Sequence, residues 1–275
     1  MKRRHFISRT GLVAVGASVF RSQRFNAQGT RWESDGAGTV ARLGVLTPAF
    51  DPVPESEMWA MAPPGVSIHS ARVPRGRDAK AFAEPPNVDL AAEQLVELAP
   101  RAILFAYTSS SYALGAEAES GIRARLEERA KGITVILTCP AATGALRLLG
   151  VRRISLIHPP WFSETINDQG KAYFRAQGFD VVQCTRLEPA REFREVAPAE
   201  LFNFVSSHTP RTAEAVFIGG NGMRAIGAIR ALETRLGIPV LSANQVALYD
   251  ALQAIGQAES VTNYGRIFKG RASGR

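Results

Sequence analysis

Residues 107–111 read Tyr-Thr-Ser-Ser-Ser and follow the apolar run Ala102 to Ala106. Four hydroxyl side chains in a row therefore stand at the end of a predicted buried strand. A hydroxyl without a neighbouring base is a poor nucleophile. The same groups can hold an anion, because a strand-to-helix turn presents unpaired amides and the positive end of the helix dipole. The simpler reading is helix capping by Ser or Thr, but a cap needs one hydroxyl and four are present. Thr108, Ser109 and Ser111 are thus candidate carboxylate binders, with Tyr107 just before them as a candidate proton carrier.

A second loop of this kind is Gly219-Gly220-Asn221-Gly222, after the apolar run Ala215 to Ile218. Its glycine spacing is not that of a dinucleotide-binding loop, and it does not follow the first strand. Two readings remain open for it: an anion nest that includes Asn221 and Gly222 with Arg224 near, or a tight glycine turn. His158 ends another apolar run, in His158-Pro159-Pro160-Trp161, where it is either structural or a general acid–base group. Pro48 ends the first run. Asp51, Glu55 and Glu57 follow it in a Pro-rich stretch expected to be a loop or lid. Arg72 is expected to pair with a carboxylate of the protein or of a ligand. The two cysteines, Cys139 and Cys184, and the four histidines show no metal-ligand spacing, so no metal and no cofactor are expected.

The elements that position these residues alternate. Short β-branched and aliphatic runs are separated by segments of helical periodicity, which implies parallel sheets with right-handed crossovers. Residues 125–150 and 231–256 also resemble one another: a charged helix, Gly-Ile, an apolar strand, a polar turn, an Ala/Leu-rich helix and a closing Gly. The expected fold class is α/β, with two pseudo-symmetric open parallel-sheet domains of flavodoxin- or Rossmann-like type and the site in the cleft between them. The first domain is expected over 41–145 and the second over 146–256, with the last helix able to pack on the first domain. Pro48, Tyr107, His158 and Gly219–Gly222 all end predicted strands, where open parallel sheets bind their ligands.

The chain has 275 residues and a net charge of +8. Six of its basic residues lie in 1–28, which hold no acid, so the body is close to neutral. A body without a basic stripe argues against nucleic-acid binding. Residues 1–28 combine Arg3-Arg4 with an apolar stretch, Gly11 to Phe20, too short to span a bilayer. They read as a twin-arginine-like export signal. A periplasmic protein without stable membrane insertion is expected, with 29–40 a linker and 257–275 a basic tail. An assembly of like chains is compatible with the sequence.

The stretches Gly44-Val45-Leu46-Thr47-Pro48, Tyr107 to Gly115, Leu146 to Ile157, Val216 to Gln245 and Tyr249 to Gly256 resemble the Asp/Glu racemase superfamily, in its arylmalonate decarboxylase and maleate cis–trans isomerase branches. The resemblance covers nearly the whole body. It implies two facing α/β domains and cofactor-free chemistry next to a carboxylate, with Thr108, Ser109 and Ser111 in a nest that holds the charge. Relatives move the proton, or attack the alkene, with one or two cysteines; at those two positions this chain has Tyr107 and Gly220. The family's tyrosine after the fifth strand is also missing, since that segment reads His158-Pro159-Pro160. The expected function is isomerase or decarboxylase chemistry on a small carboxylate or dicarboxylate by a non-cysteine route, with His158 or Tyr107 moving the proton. The alternative is an inactive extracytoplasmic carboxylate-binding protein on the same scaffold.

Overall fold

Each half of the molecule is built from four short apolar strands, every one followed by a helix that covers it. The computed structural model describes residues 35–74, 76–188 and 196–269. The export-signal segment, the first half of the linker and the end of the tail lie outside the described residues. In the first half the strands are β1 (Ala41–Pro48), β2 (Val66–Val73), β3 (Ala102–Phe105) and β4 (Val135–Leu137), in the order β2-β1-β3-β4. In the second they are β5 (Arg153–His158), β6 (Asp180–Arg186), β7 (Ala215–Ile218) and β8 (Val240–Ser242), in the order β6-β5-β7-β8. All pairings are parallel. Central strands such as β3 and β7 are buried along their whole length, which is why they read as unbroken apolar runs rather than alternating ones. The shared strand order is the structural form of the repeat seen in the sequence.

The helices are α1 (Val53–Met61), α2 (Asn87–Val96), α3 (Thr108–Leu114), α4 (Ala116–Arg129), α5 (Thr138–Leu148), α6 (Glu164–Ala176), α7 (Pro198–His208), α8 (Ile226–Leu236) and α9 (Ala243–Ala254). Helix α1 replaces the expected Pro-rich loop. Pro54 sits in its first turn, where no backbone N–H is required, and the Asp51 carboxylate accepts from the Val53 amide at 3.0 Å. Met58 and Met61 then give the helix a buried face. Residues 257–269 are likewise not a loose basic tail. They form 3-10 turns at Ala258–Ser260 and Arg266–Lys269, bury Ile267 and Phe268, and tie the Arg266 amide to Glu233.

One apolar core runs through both sheets, joining Leu43, Val45 and Leu104 to Leu156, Phe217 and Leu241. Burying each such side chain contributes about 1.5–3 kcal/mol. Helix α9 packs on α5, α1, β3 and β4 as well as on β8, so the last helix covers strands of the first sheet. Among the described residues no helix is long and apolar enough to cross a membrane.

Candidate functional site

Parallel strands bring the carboxyl ends of β1, β3, β5 and β7 to the same edge, and the two halves meet there. Thr108, the first residue of α3, donates its amide at 2.8 Å and its hydroxyl at 2.6 Å to Asn221 Oδ1. Asn221 Nδ2 donates to Asn244 Oδ1 at 2.9 Å and to Thr138 Oγ1 at 3.3 Å. The two sequence-predicted nests thus come together, 113 residues apart in the chain. The Asn221 amide caps the turn that carries Thr108. The expectation that both residues bind a carboxylate directly is revised accordingly: these Thr108 donors are already satisfied from within.

The network continues to a carboxylate that the sequence did not single out. Asn244 Nδ2 donates to Glu57 Oε2 and to the Asn221 carbonyl, each at 2.8 Å. Glu57 Oε1 accepts from the amides of Ala225 at 2.7 Å and Ile226 at 3.0 Å. The start of α8 therefore holds a carboxylate of the protein itself, as the helix dipole favours. Burial raises the Glu57 carboxyl from 4.5 to about 7, against the pull of its three hydrogen bonds and with a further push from the nearby Asp51 charge. Glu57 lay in the stretch read as a lid. For Asn244 the only available signal was its place in the polar turn after the last strand of the internal repeat.

His158 is enclosed. Its ring is fully buried, with Nδ1 2.8 Å from Asn167 Oδ1 and Nε2 3.2 Å from the Tyr112 hydroxyl. This pairing puts the proton on Nδ1 and leaves Nε2 to accept from Tyr112. Tyr112 and Phe162 pack on the ring. Gly219 is a glycine because a Cβ there would come within 2.8 Å of His158 Cδ2 and 2.9 Å of the Tyr112 hydroxyl. Burial lowers the imidazole from 6.5 to about 4, while the Asn167 hydrogen bond works the other way. A neutral ring with both nitrogens engaged and no exposed surface is a structural anchor, poorly placed to exchange protons with a ligand.

Tyr107 has the opposite setting. It is half-buried, packs on Phe82 with the ring centroids 4.6 Å apart and the planes tilted by 51°, and lines a cavity of about 180 Å³ with Pro48, Phe50, Pro74, Arg77 and Asp78. Pro48 and Tyr107 are the predicted site residues that line it. Ser109 follows on the same turn and is at the edge of burial, 9% exposed. Ser111 points inward instead, beside Glu119 and Cys139. Gly222 packs tightly: a Cβ there would lie 2.9 Å from Asp51 Oδ2 and 3.3 Å from Trp161. Asp51 is buried. Arg72 donates to the Asp51 carbonyl and pairs with Glu55, a partner within the protein.

Neither cysteine stands at the two positions where the resemblance places thiols. Cys139 is fully buried at the start of α5, and burial pushes its thiol well up. Cys184 lies on β6 near His158, with its thiol pushed up to about 12 by burial. Thiols held protonated in this way are weak nucleophiles.

Comparison with known proteins agrees with this architecture. A maleate isomerase of Geobacillus stearothermophilus is 29% identical over 140 residues, which are 50% of this chain and 55% of that protein. An arylmalonate decarboxylase of Bordetella bronchiseptica is 26% identical over 166 residues, covering 58% of this chain and 68% of that one. The crystal structure of the maleate isomerase Iso from Pseudomonas putida S16 superposes with a TM-score of 0.76 at 20% identity, covering 84% of this chain and 98% of that one. The arylmalonate decarboxylase family profile matches residues 83–268, about two thirds of the sequence, and the chain belongs to that family.

Proposed function

We propose that the protein is a cofactor-independent isomerase- or decarboxylase-type enzyme for a small carboxylate or dicarboxylate, of the maleate or arylmalonate kind, working without a thiol. Tyr107 is the group that moves the proton. The observation that carries this reading is the placement of Tyr107: it lines a cavity with Pro48, whereas His158 and Cys139 are fully buried and the partly buried Cys184 is not among the lining residues. For a malonate-type substrate, the bond to one carboxylate breaks and carbon dioxide leaves. The electron pair spreads onto the remaining carboxylate, and the phenol O–H delivers a proton to the α-carbon. A phenol is acidic enough to protonate such a carbanion, and water returns the proton to the phenolate. The Arg77 guanidinium, one of the groups lining the cavity, favours the negative charge, with the Ser109 hydroxyl two residues on from Tyr107 as a further donor.

A second reading, carboxylate binding without turnover on the same scaffold, is favoured by one specific observation: the two family thiol positions hold Tyr107 and Gly220. Export by the Arg3-Arg4 segment fits either reading, and a signal-to-reporter fusion retained in the cytoplasm would remove it. The discriminating experiment follows thermal shift and product formation by NMR with maleate, fumarate and phenylmalonate. Product that disappears in Tyr107→Phe supports the enzyme. A shift without product supports the binder. Neither response with any of the three overturns the carboxylate reading.

A further inference from the structure

We propose that Glu57 is a positioning residue of this site: acting through Asn244, its carboxylate holds the Asn221 amide with Oδ1 turned toward Thr108. The proposal rests on the reading of the Tyr107–Ser109 turn as part of a carboxylate site, and it concerns what keeps that turn in place.

The argument is one of hydrogen-bond direction. Every partner of Glu57 is a donor: the Ala225 and Ile226 amides at Oε1 and Asn244 Nδ2 at Oε2. Asn244 cannot reverse its amide, because Nδ2 also donates to the Asn221 carbonyl. Reversal would bring two carbonyl oxygens together. With Asn244 fixed, its Oδ1 requires a donor, and Asn221 Nδ2 supplies it. Thr138 Oγ1 asks the same of Asn221, because its own proton goes to the Phe105 carbonyl at 2.9 Å. Asn221 Oδ1 is then left facing the Thr108 amide and hydroxyl. Glu57 thus anchors one end of a chain of hydrogen bonds that joins four elements from both halves, α1, α3, α9 and the β7–α8 loop.

A proton on Glu57 has no acceptor among these partners. Placed on Oε2 it breaks the bond to Asn244 and loosens the hold on Asn221; placed on Oε1 it breaks the bonds to the Ala225 and Ile226 amides, at the end of the loop that carries Asn221. Burial brings this event to about pH 7. Charged and titratable groups on the surrounding elements include Asp51 before α1, Glu55 on α1, Arg42 on β1, His69 and Arg72 on β2, Tyr249 and Asp250 on α9 and Arg224 before α8. Of these, Asp51 adds a field that favours the protonated form.

The test is an NMR titration of the full chain between about pH 6 and pH 8, reading the Thr108 backbone amide and the Asn221 side-chain amide. Both are expected to follow one curve with a midpoint near 7 and to become flat in Glu57→Gln. Asn244→Ala, which cuts the connection while leaving Glu57 in place, is expected to flatten them too and serves if Glu57→Gln does not fold. Fumarate, a dianion over this range, is expected to bind about tenfold more weakly at the acid end, as the competent ionised fraction falls from roughly nine tenths to one tenth. Flat wild-type resonances overturn the proposal, as does a titration that persists unchanged in both variants. If the resonances titrate as expected but fumarate binds at no pH, the positioning by Glu57 stands and the carboxylate reading of the turn falls.

Discussion

Replacing His158 by Gln removes a titrating group from the interior, and its effect on stability should depend on pH in a defined sense. In the folded protein the ring resists protonation until about pH 4, whereas in the unfolded chain it takes a proton near 6.5. Between those values the unfolded state binds more protons, so this group makes the fold less stable as pH falls. The gap corresponds to roughly 3 kcal/mol, or about 1.4 kcal/mol for each pH unit. Glu57 acts in the opposite direction. Its folded-state carboxyl is raised from 4.5 to about 7, so its stabilising contribution is present below 4.5 and is lost as pH rises through 7. Over most of the weakly acidic range the two slopes oppose each other in the wild-type protein. The assay is urea unfolding of wild type and His158→Gln at pH values from about 4.5 to 8, extrapolated to zero denaturant. The lost bonds to Asn167 and Tyr112 give a constant offset. On top of it, the wild-type advantage should grow by about 1.4 kcal/mol per pH unit up to about 6.5 and then level off. Parallel curves through the acid range would mean that the ring carries a charge in the folded state, and the enclosed, neutral imidazole would have to be abandoned.

The same unfolding series on Glu57→Gln should show the reverse slope, with the wild-type advantage shrinking as pH rises toward 7. Gly220→Cys, which restores a thiol to the family position, should destabilise: φ is +85° and a Cβ would lie 2.8 Å from Pro159 Cγ. The left-handed backbone costs about 1–2 kcal/mol and the crowding about 1–3 kcal/mol, so an unchanged urea midpoint would contradict the geometry. Thr108→Val removes the hydroxyl bond to Asn221 and should cost about 1–2 kcal/mol in the same assay. Cys139→Ala and Cys184→Ala should leave any product formation from maleate or phenylmalonate intact; its loss would return a thiol to the mechanism.

The parallel strands and their repeat were legible because buried central strands are continuous apolar runs and the repeat matches residue type to residue type. Helix α1 was missed because Pro52, Pro54, Pro63 and Pro64 mark its flanks and first turn, and prolines read as breakers unless their position in the first turn is known. The site was legible only in part. Tyr107, Thr108, Asn221 and Pro48 stood out as candidates because they end strands, a local property. The roles of Glu57, Asn244 and Asn167 depend on partners distant in the chain, 187 residues for Glu57 and Asn244. For His158 the position at a strand end was legible, but the Tyr112 and Phe162 rings that close over it were not.

Helix α9 lies near the end of the chain yet covers β3 and β4, strands from its first half. During synthesis the opening α/β half must wait, with part of its apolar surface uncovered, until residues 243–254 have emerged. A fragment ending near Gly150 should therefore be sticky and prone to self-association. The protein has two sheets with the same strand order, but they cannot be separated into two independently folding pieces, and a design that recombines halves of such proteins would have to carry the last helix along with the first sheet.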